Sequence, residues 1–221
     1  MYLSSNTKVT DTGLVHLKGL ANLRKLRLSA TKVTDAGLVQ LKGLTNLQEL
    51  SLHSNSGVTD AGLAHLAGLK NLVHLDLQST KVTAAGLAHL KGLTKLEDLR
   101  LSATKVTDAG LAHLKGLRNL RHLGLSRTKV TDAGLVHLEG LTKLRGLSLM
   151  LTEVTGEGLV HLKGMTNLTF LLLRYTNVTD AGLMHLEGLT KLRTLDLRDT
   201  QGTPADVKKL QQALPNCKID H

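Results

Sequence analysis

Residues 93–116 read LTKLEDLRLSATKVTDAGLAHLKG, and residues 117–140 read LRNLRHLGLSRTKVTDAGLVHLEG, the same phrase with a few letters exchanged. The unit returns along the whole chain. Its register is marked by Val9, Val33, Val58, Val82, Val106, Val130, Val154 and Val178, spaced by 24 residues except for the 25 between Val33 and Val58. A fixed period of roughly 20 to 50 residues signals a stacked array whose units bury one another's apolar faces. The extra residue falls in Asn55-Ser56-Gly57. Asn6-Thr7-Lys8 fits the same longer turn, so the chain opens inside a strand.

Each unit changes periodicity partway through. Leu26-Arg27-Leu28 and Leu99-Arg100-Leu101 alternate as a short strand with both leucines inward. A turn and a helix of about two turns follow. Thr34 and its copies Thr10, Thr59, Thr83, Thr107, Thr131, Thr155 and Thr179 stand where a hydroxyl caps the helix, usually with an Asp next to it. Leu38 and Leu41 face inward, and Gly43 with its equivalents is expected to supply a left-handed helix end. A second glycine column, from Gly13 and Gly37 to Gly182, lies inside the helices and predicts close approach of neighbouring units. Thr31 and its copies, or Asn6 and Asn55 in the longer units, satisfy backbone groups in the turn.

The pattern LxxLxLxxTxVTDAGLxHLxGL resembles the leucine-rich repeat family, in the 24-residue bacterial, planctomycete-like form related to its cysteine-containing class, with Thr where that class carries Cys. The resemblance covers essentially the whole chain. It implies an α/β solenoid, a horseshoe with a parallel sheet on the concave face and short helices on the convex face. We read one domain over residues 1–221: a partial first repeat at 1–19, repeats at 20–200 and a C-terminal cap at 201–221. Thr203-Pro204-Ala205-Asp206 opens that cap as a longer helix, with Lys208, Lys209, Gln211 and Gln212 outward. At the other end Leu3, Val9, Leu14 and Leu17 are expected to present an open apolar face. It would be covered by residues upstream, by another chain, or by self-association.

The chain has 221 residues and a net charge of +10. Aromatic residues make up 1%, so a repetitive core of Leu, Val and Ala replaces the mixed interior of an ordinary domain. One cysteine, Cys217, excludes an internal disulfide. No apolar stretch reaches the ~20 residues of a membrane span and no export signal is visible, which favours the cytoplasm and excludes membrane insertion.

Framework positions agree among the copies, and the strand's outward positions do not. Nine of the ten arginines, all but Arg118, fall on this variable face, whereas Lys25 is the one lysine placed there. Arginine stacks and grips carboxylates bidentately, which suits a contact surface; it also merely tolerates strand positions. Met150, Leu151, Phe170, Leu172 and Tyr175 bring large apolar groups together. Gly124 and Gly146 beside them leave a hollow, and Arg127, Arg145 and Arg174 form a rim. Aromatic anchors with an arginine rim have the composition of a protein-binding hot spot.

Glu49, His74, Asp98 and His122 share one strand position in four successive repeats. Such a row could hold a divalent metal or simply neutralise itself, and the strand spacing of ~4.8 Å argues for neutralisation. The helix histidines, from His16 to His185, read as packing. The lysine column Lys8, Lys32, Lys81, Lys105 and Lys129 reads as a solvated edge. No nucleophile elbow, phosphate loop or zinc helix occurs. The sequence thus predicts a non-enzymatic scaffold that binds a protein or peptide, without cofactor or metal. The alternative is a salt-sensitive binder of anionic polymer; the absence of aromatics among the lysines argues against nucleic acid.

Overall fold

A computed structural model describes all 221 residues. One three-residue strand per repeat appears at Lys25–Arg27 (β1), Glu49–Ser51 (β2), His74–Asp76 (β3), Asp98–Arg100 (β4), His122–Gly124 (β5), Gly146–Ser148 (β6), Phe170–Leu172 (β7) and Thr194–Asp196 (β8). A ninth, Lys218–Asp220 (β9), completes a single parallel sheet ordered as in the chain. The central leucines, Leu26, Leu50, Leu75 and onward, pair with one another and are buried, as alternation requires. The chain does open beside β1: Leu3 N–H donates to Arg27 O at 2.9 Å and Arg27 N–H donates to Met1 O at 3.1 Å.

The helical part of each repeat is typically one α-turn followed by one 3-10 turn, as in Asp35–Leu38 and Val39–Leu41. Positions three apart eclipse in a 3-10 turn, so Leu38 and Leu41 both point into the core. All 57 buried apolar residues form one cluster, chiefly of leucine. No aromatic residue is among them. No helix is long and apolar enough to cross a membrane.

Successive repeats are joined by a carboxylate. Asp11, Asp35, Asp60, Asp108 and Asp132 each accept from the backbone N–H and the hydroxyl of the next repeat's threonine, at 2.7–2.8 Å and 2.5–2.8 Å. The same hydroxyls, on Thr34, Thr59, Thr83, Thr131 and Thr155, accept from a helix N–H two residues on at 3.2–3.3 Å. Thr10, Thr107 and Thr179 do not cap. The cause is visible for two of them: Ala84 and Gly156 occupy the Asp position one repeat earlier. Donation to Asp is what aims the hydroxyl's lone pair at the helix.

Five glycines of the inner column leave room for this carboxylate. A Cβ at Gly37, Gly62, Gly86, Gly134 or Gly158 would run into the Asp Oδ1 of the preceding repeat. At Gly182 it would meet the backbone of Gly156, so there two repeats touch main chain to main chain.

Four further expectations are corrected. First, Gly43 and its equivalents do not end helices in a left-handed conformation; only Gly19 does, at φ 90°. A 3-10 end closes with a short turn, Leu44 N–H to Leu41 O at 2.9 Å, and needs no such residue. The left-handed positions instead follow the opening segment and strands β1 to β8 and hold no glycine: Ser5, Ala30, Ser54, Ser79, Ala103, Arg127, Leu151, Tyr175 and Asp199, at φ 53–59°. All but Asp199 are held there by a backbone bond to the next repeat, as by Ala30 N–H donating to His53 O at 2.8 Å. Secondly, Leu14 and Leu17 are enclosed in the core and Leu3 and Val9 are partly buried. The apolar groups exposed at that end are Met1, Tyr2, Val15 and Leu20.

Thirdly, the cap contains β9 as well as the helix Pro204–Ala213, so Lys218 joins Lys25 in the sheet row. Fourthly, Gln211, expected outward, turns back to donate to Leu214 O and Cys217 O, both at 2.9 Å. The turn threonines behave as expected, each hydroxyl donating to the carbonyl three residues back at 2.5–2.8 Å.

Candidate functional site

Strand register places Lys25, Glu49, His74, Asp98, His122, Gly146, Phe170, Thr194 and Lys218 in one row across the sheet. A parallel row runs from Arg27 through Asp76, Arg100 and Gly124 to Leu172 and Asp196. Both rows change character along their length, and that change divides the face.

The N-terminal part is an ion-paired lattice around a polar hollow of about 520 Å³. Glu49 is gripped by Arg27 at 2.6 Å and Lys25 at 3.3 Å. Burial would raise this carboxyl, but the two cations outweigh it and hold it below the usual carboxylate range. Asp98 is held by Arg100 at 3.0 Å, with His74 Nδ1 at 3.9 Å. The row that could have gathered metal ligands is therefore occupied by its own cations, and no three His, Cys, Asp or Glu side chains converge on one point.

The second hollow, about 320 Å³, lies over β4 to β7. Phe170 and Leu172 form its apolar side, and Gly124, Gly146, Ser102 and Ser148 its floor. The glycines open it, although the His122 ring takes part of the space: a Cβ at Gly146 would stand 2.7 Å from His122 Nδ1. Phe170 is 50% exposed.

The structure separates the residues expected to act together. Phe170 and Leu172 line the hollow. Arg127, Leu151 and Tyr175 are the left-handed residues of three consecutive turns along its edge, where the other repeats carry Ser, Ala or Asp. Met150 and Arg174 immediately precede two of them, half-buried. A bulky residue in this conformation costs about 1 kcal/mol or more, so large side chains here are not what the turn itself prefers. Arg145 lies at the opposite end of the strands, just before β6.

Nor are the arginines equivalent. Arg174 donates to Asp199 at 3.1 Å and to the Tyr175 hydroxyl at 2.8 Å, with its guanidinium 4.6 Å from the ring centre. The bond to Asp199 leads in raising its pKa above the ordinary arginine value. Arg121 pairs with Glu97 at 3.0 Å. Arg127 and Arg145 have no carboxylate partner. Gln78 and Arg100 also line the hollow, from outward positions whose residues vary from repeat to repeat. His122 joins them from the ionisable row it shares with His74 and Asp98.

Family models described as leucine rich repeat match residues 21–82 and 116–138. None of the curated proteins matches in sequence. Among solved structures, an internalin C2 from Listeria monocytogenes is 31% identical, with 82% of this chain and 72% of that one covered at a TM-score of 0.65. Another internalin from the same organism is 20% identical, with 93% and 69% covered at a TM-score of 0.67. The ectodomain of the receptor kinase GASSHO1/SCHENGEN3 from Arabidopsis thaliana, in complex with CASPARIAN STRIP INTEGRITY FACTOR 2, is 22% identical at a TM-score of 0.67. That match covers 93% of this chain, which spans only 27% of the receptor's. With the stacked strands, the shared repeat phrase and the internalin C2 match together, the chain belongs to the leucine-rich repeat family.

Proposed function

We propose that the protein is a non-enzymatic scaffold whose sheet face binds a protein or peptide at the β4 to β7 hollow. Phe170, Leu172, Tyr175, Met150 and Leu151 serve as anchors, and Arg127, Arg145 and Arg174 orient the partner. The observation that carries this reading is the coincidence of the glycine-floored hollow with three bulky left-handed residues on its edge. Residues held in costly conformations gather where binding requires them. The solved plant receptor complex supports the reading by analogy of fold.

The test compares the protein with Phe170→Ala/Leu172→Ser/Tyr175→Ala, matched for thermal stability, as baits in cell lysate at low and high salt. A protein retained at high salt by the parent alone supports the site. Nucleic acid or anionic glycan captured equally by both and lost in salt favours the anionic-polymer reading and removes this one.

A further inference from the structure

Negative charge on the sheet face is largely matched from within, and positive charge is not. Glu49, Glu97, Asp98, Asp196 and Asp199 each have an arginine within 3.1 Å. Four exposed arginines of this face have no carboxylate: Arg24 before β1, Arg193 before β8, and Arg127 and Arg145. The last two flank the hollow from its two ends, for Arg145 precedes β6 and Arg127 follows β5 at the level of Leu151. Arg193 stands on Arg145's side of the strands, two repeats further on. Six residues separate the levels of Arg145 and Leu151, no more than about 20 Å of chain. Between them stand the uncharged Gly124, Gly146 and Ser148, with Phe170 and Leu172 alongside.

From this we infer that the partner is an extended acidic segment, with an apolar side chain seated against Phe170 and Leu172 and carboxylates on both sides of it, one facing Arg127 and one Arg145. The inference rests on the proposed binding site and adds the chemistry of its occupant. A basic segment would meet uncompensated guanidiniums at both ends, whereas a carboxylate gains bidentate hydrogen bonds without displacing an existing pair. A neutral apolar segment would leave both cations without a role.

Random short peptides displayed on phage serve as the probe, panned against the protein, against Phe170→Ala/Leu172→Ser and against Arg127→Gln/Arg145→Gln. The expected peptides carry Asp or Glu on both sides of an apolar residue, and synthetic copies bind each variant about tenfold or more weakly. Their affinity for the protein falls with salt more steeply than for the arginine variant. Peptides that need Phe170 and Leu172 but carry no acidic residues would overturn the inference and leave the site standing. Peptides that bind the protein and Phe170→Ala/Leu172→Ser alike, or no enrichment at all, would overturn both.

Discussion

The hydroxyl of Thr83 donates to Asp60 Oδ2 at 2.6 Å while the backbone N–H of Thr83 donates to Oδ1 at 2.8 Å, so one carboxylate joins two repeats. The same hydroxyl accepts from Ala85 N–H at 3.3 Å. Hydrogen bonds to a charged group contribute about 1.5–3 kcal/mol, and a helix cap about 1.

Supplying the missing carboxylate therefore has opposite effects at the two places that lack it. Ala84→Asp gives Thr107 its partner and raises stability by about 1 kcal/mol. Gly156→Asp lowers it by about 1–3 kcal/mol, because a Cβ there stands 2.9 Å from Gly182 Cα. Urea unfolding of the two variants measures both signs; a gain in each would show that the glycine contact is unimportant.

The glycines sort in the same way. Gly140 has no positive φ, and a Cβ built there would find nothing within 4 Å, so Gly140→Ala stabilises by about 0.5–1 kcal/mol. Gly19→Ala costs about 1 kcal/mol at its φ of 90°. Gly134→Ala also lowers stability, since its methyl meets the Asp108 carboxylate. Thermal melts of the three variants separate these cases.

Asn55 is 1% exposed and spans the 25-residue repeat. Its amide donates to Leu28 O and Leu52 O at 2.8 and 3.0 Å, and its Oδ1 accepts from Thr31 N–H at 2.9 Å. Asn55→Ala strands these groups and costs about 3 kcal/mol. Asn55→Thr, the residue of the shorter repeats, keeps one bond and loses less. Chemical denaturation gives the order.

His185 carries a pH dependence. Burial first, and Lys163 second, lower its pKa from 6.5, and its Nδ1 has no partner. The unfolded chain then takes up a proton that the folded chain refuses. Its contribution is full above 6.5 and declines as pH falls from there toward the folded pKa. His185→Gln flattens the decline of stability as pH falls below 6.5. Asp196, lowered by Arg198, acts in a separate window: its contribution is present above 3.8 and is lost in stronger acid.

Much of the fold was legible because a repeat repeats its causes. Leu26, Leu50 and Leu75 declare strand and register, and Thr80 declares the turn. What escaped notice depends on neighbours one period away. Nothing local in VTDAGL says that Asp35 serves Thr59 rather than its own helix, or that Gly62 is small because Asp35 lies against it. The ninth strand is hidden because Cys217-Lys218-Ile219 lacks the leucine phrase, although it alternates. At the hollow, composition identified Phe170 and the two glycines. Only the pairing geometry separates the engaged Arg174 from Arg127 and Arg145.

Positive charge is unevenly placed along the array. Residues 1–130 hold 18 Lys and Arg against 8 Asp and Glu, while residues 131–221 hold 10 of each. Nine strands at ~4.8 Å extend about 40 Å, so the molecule is an electrical dipole along its own length. In dilute salt the acidic partner proposed above would be attracted first toward the early repeats. At about 0.1 M salt the Debye length of ~10 Å is a quarter of that span, so attraction along the array is screened and only short-range contacts remain.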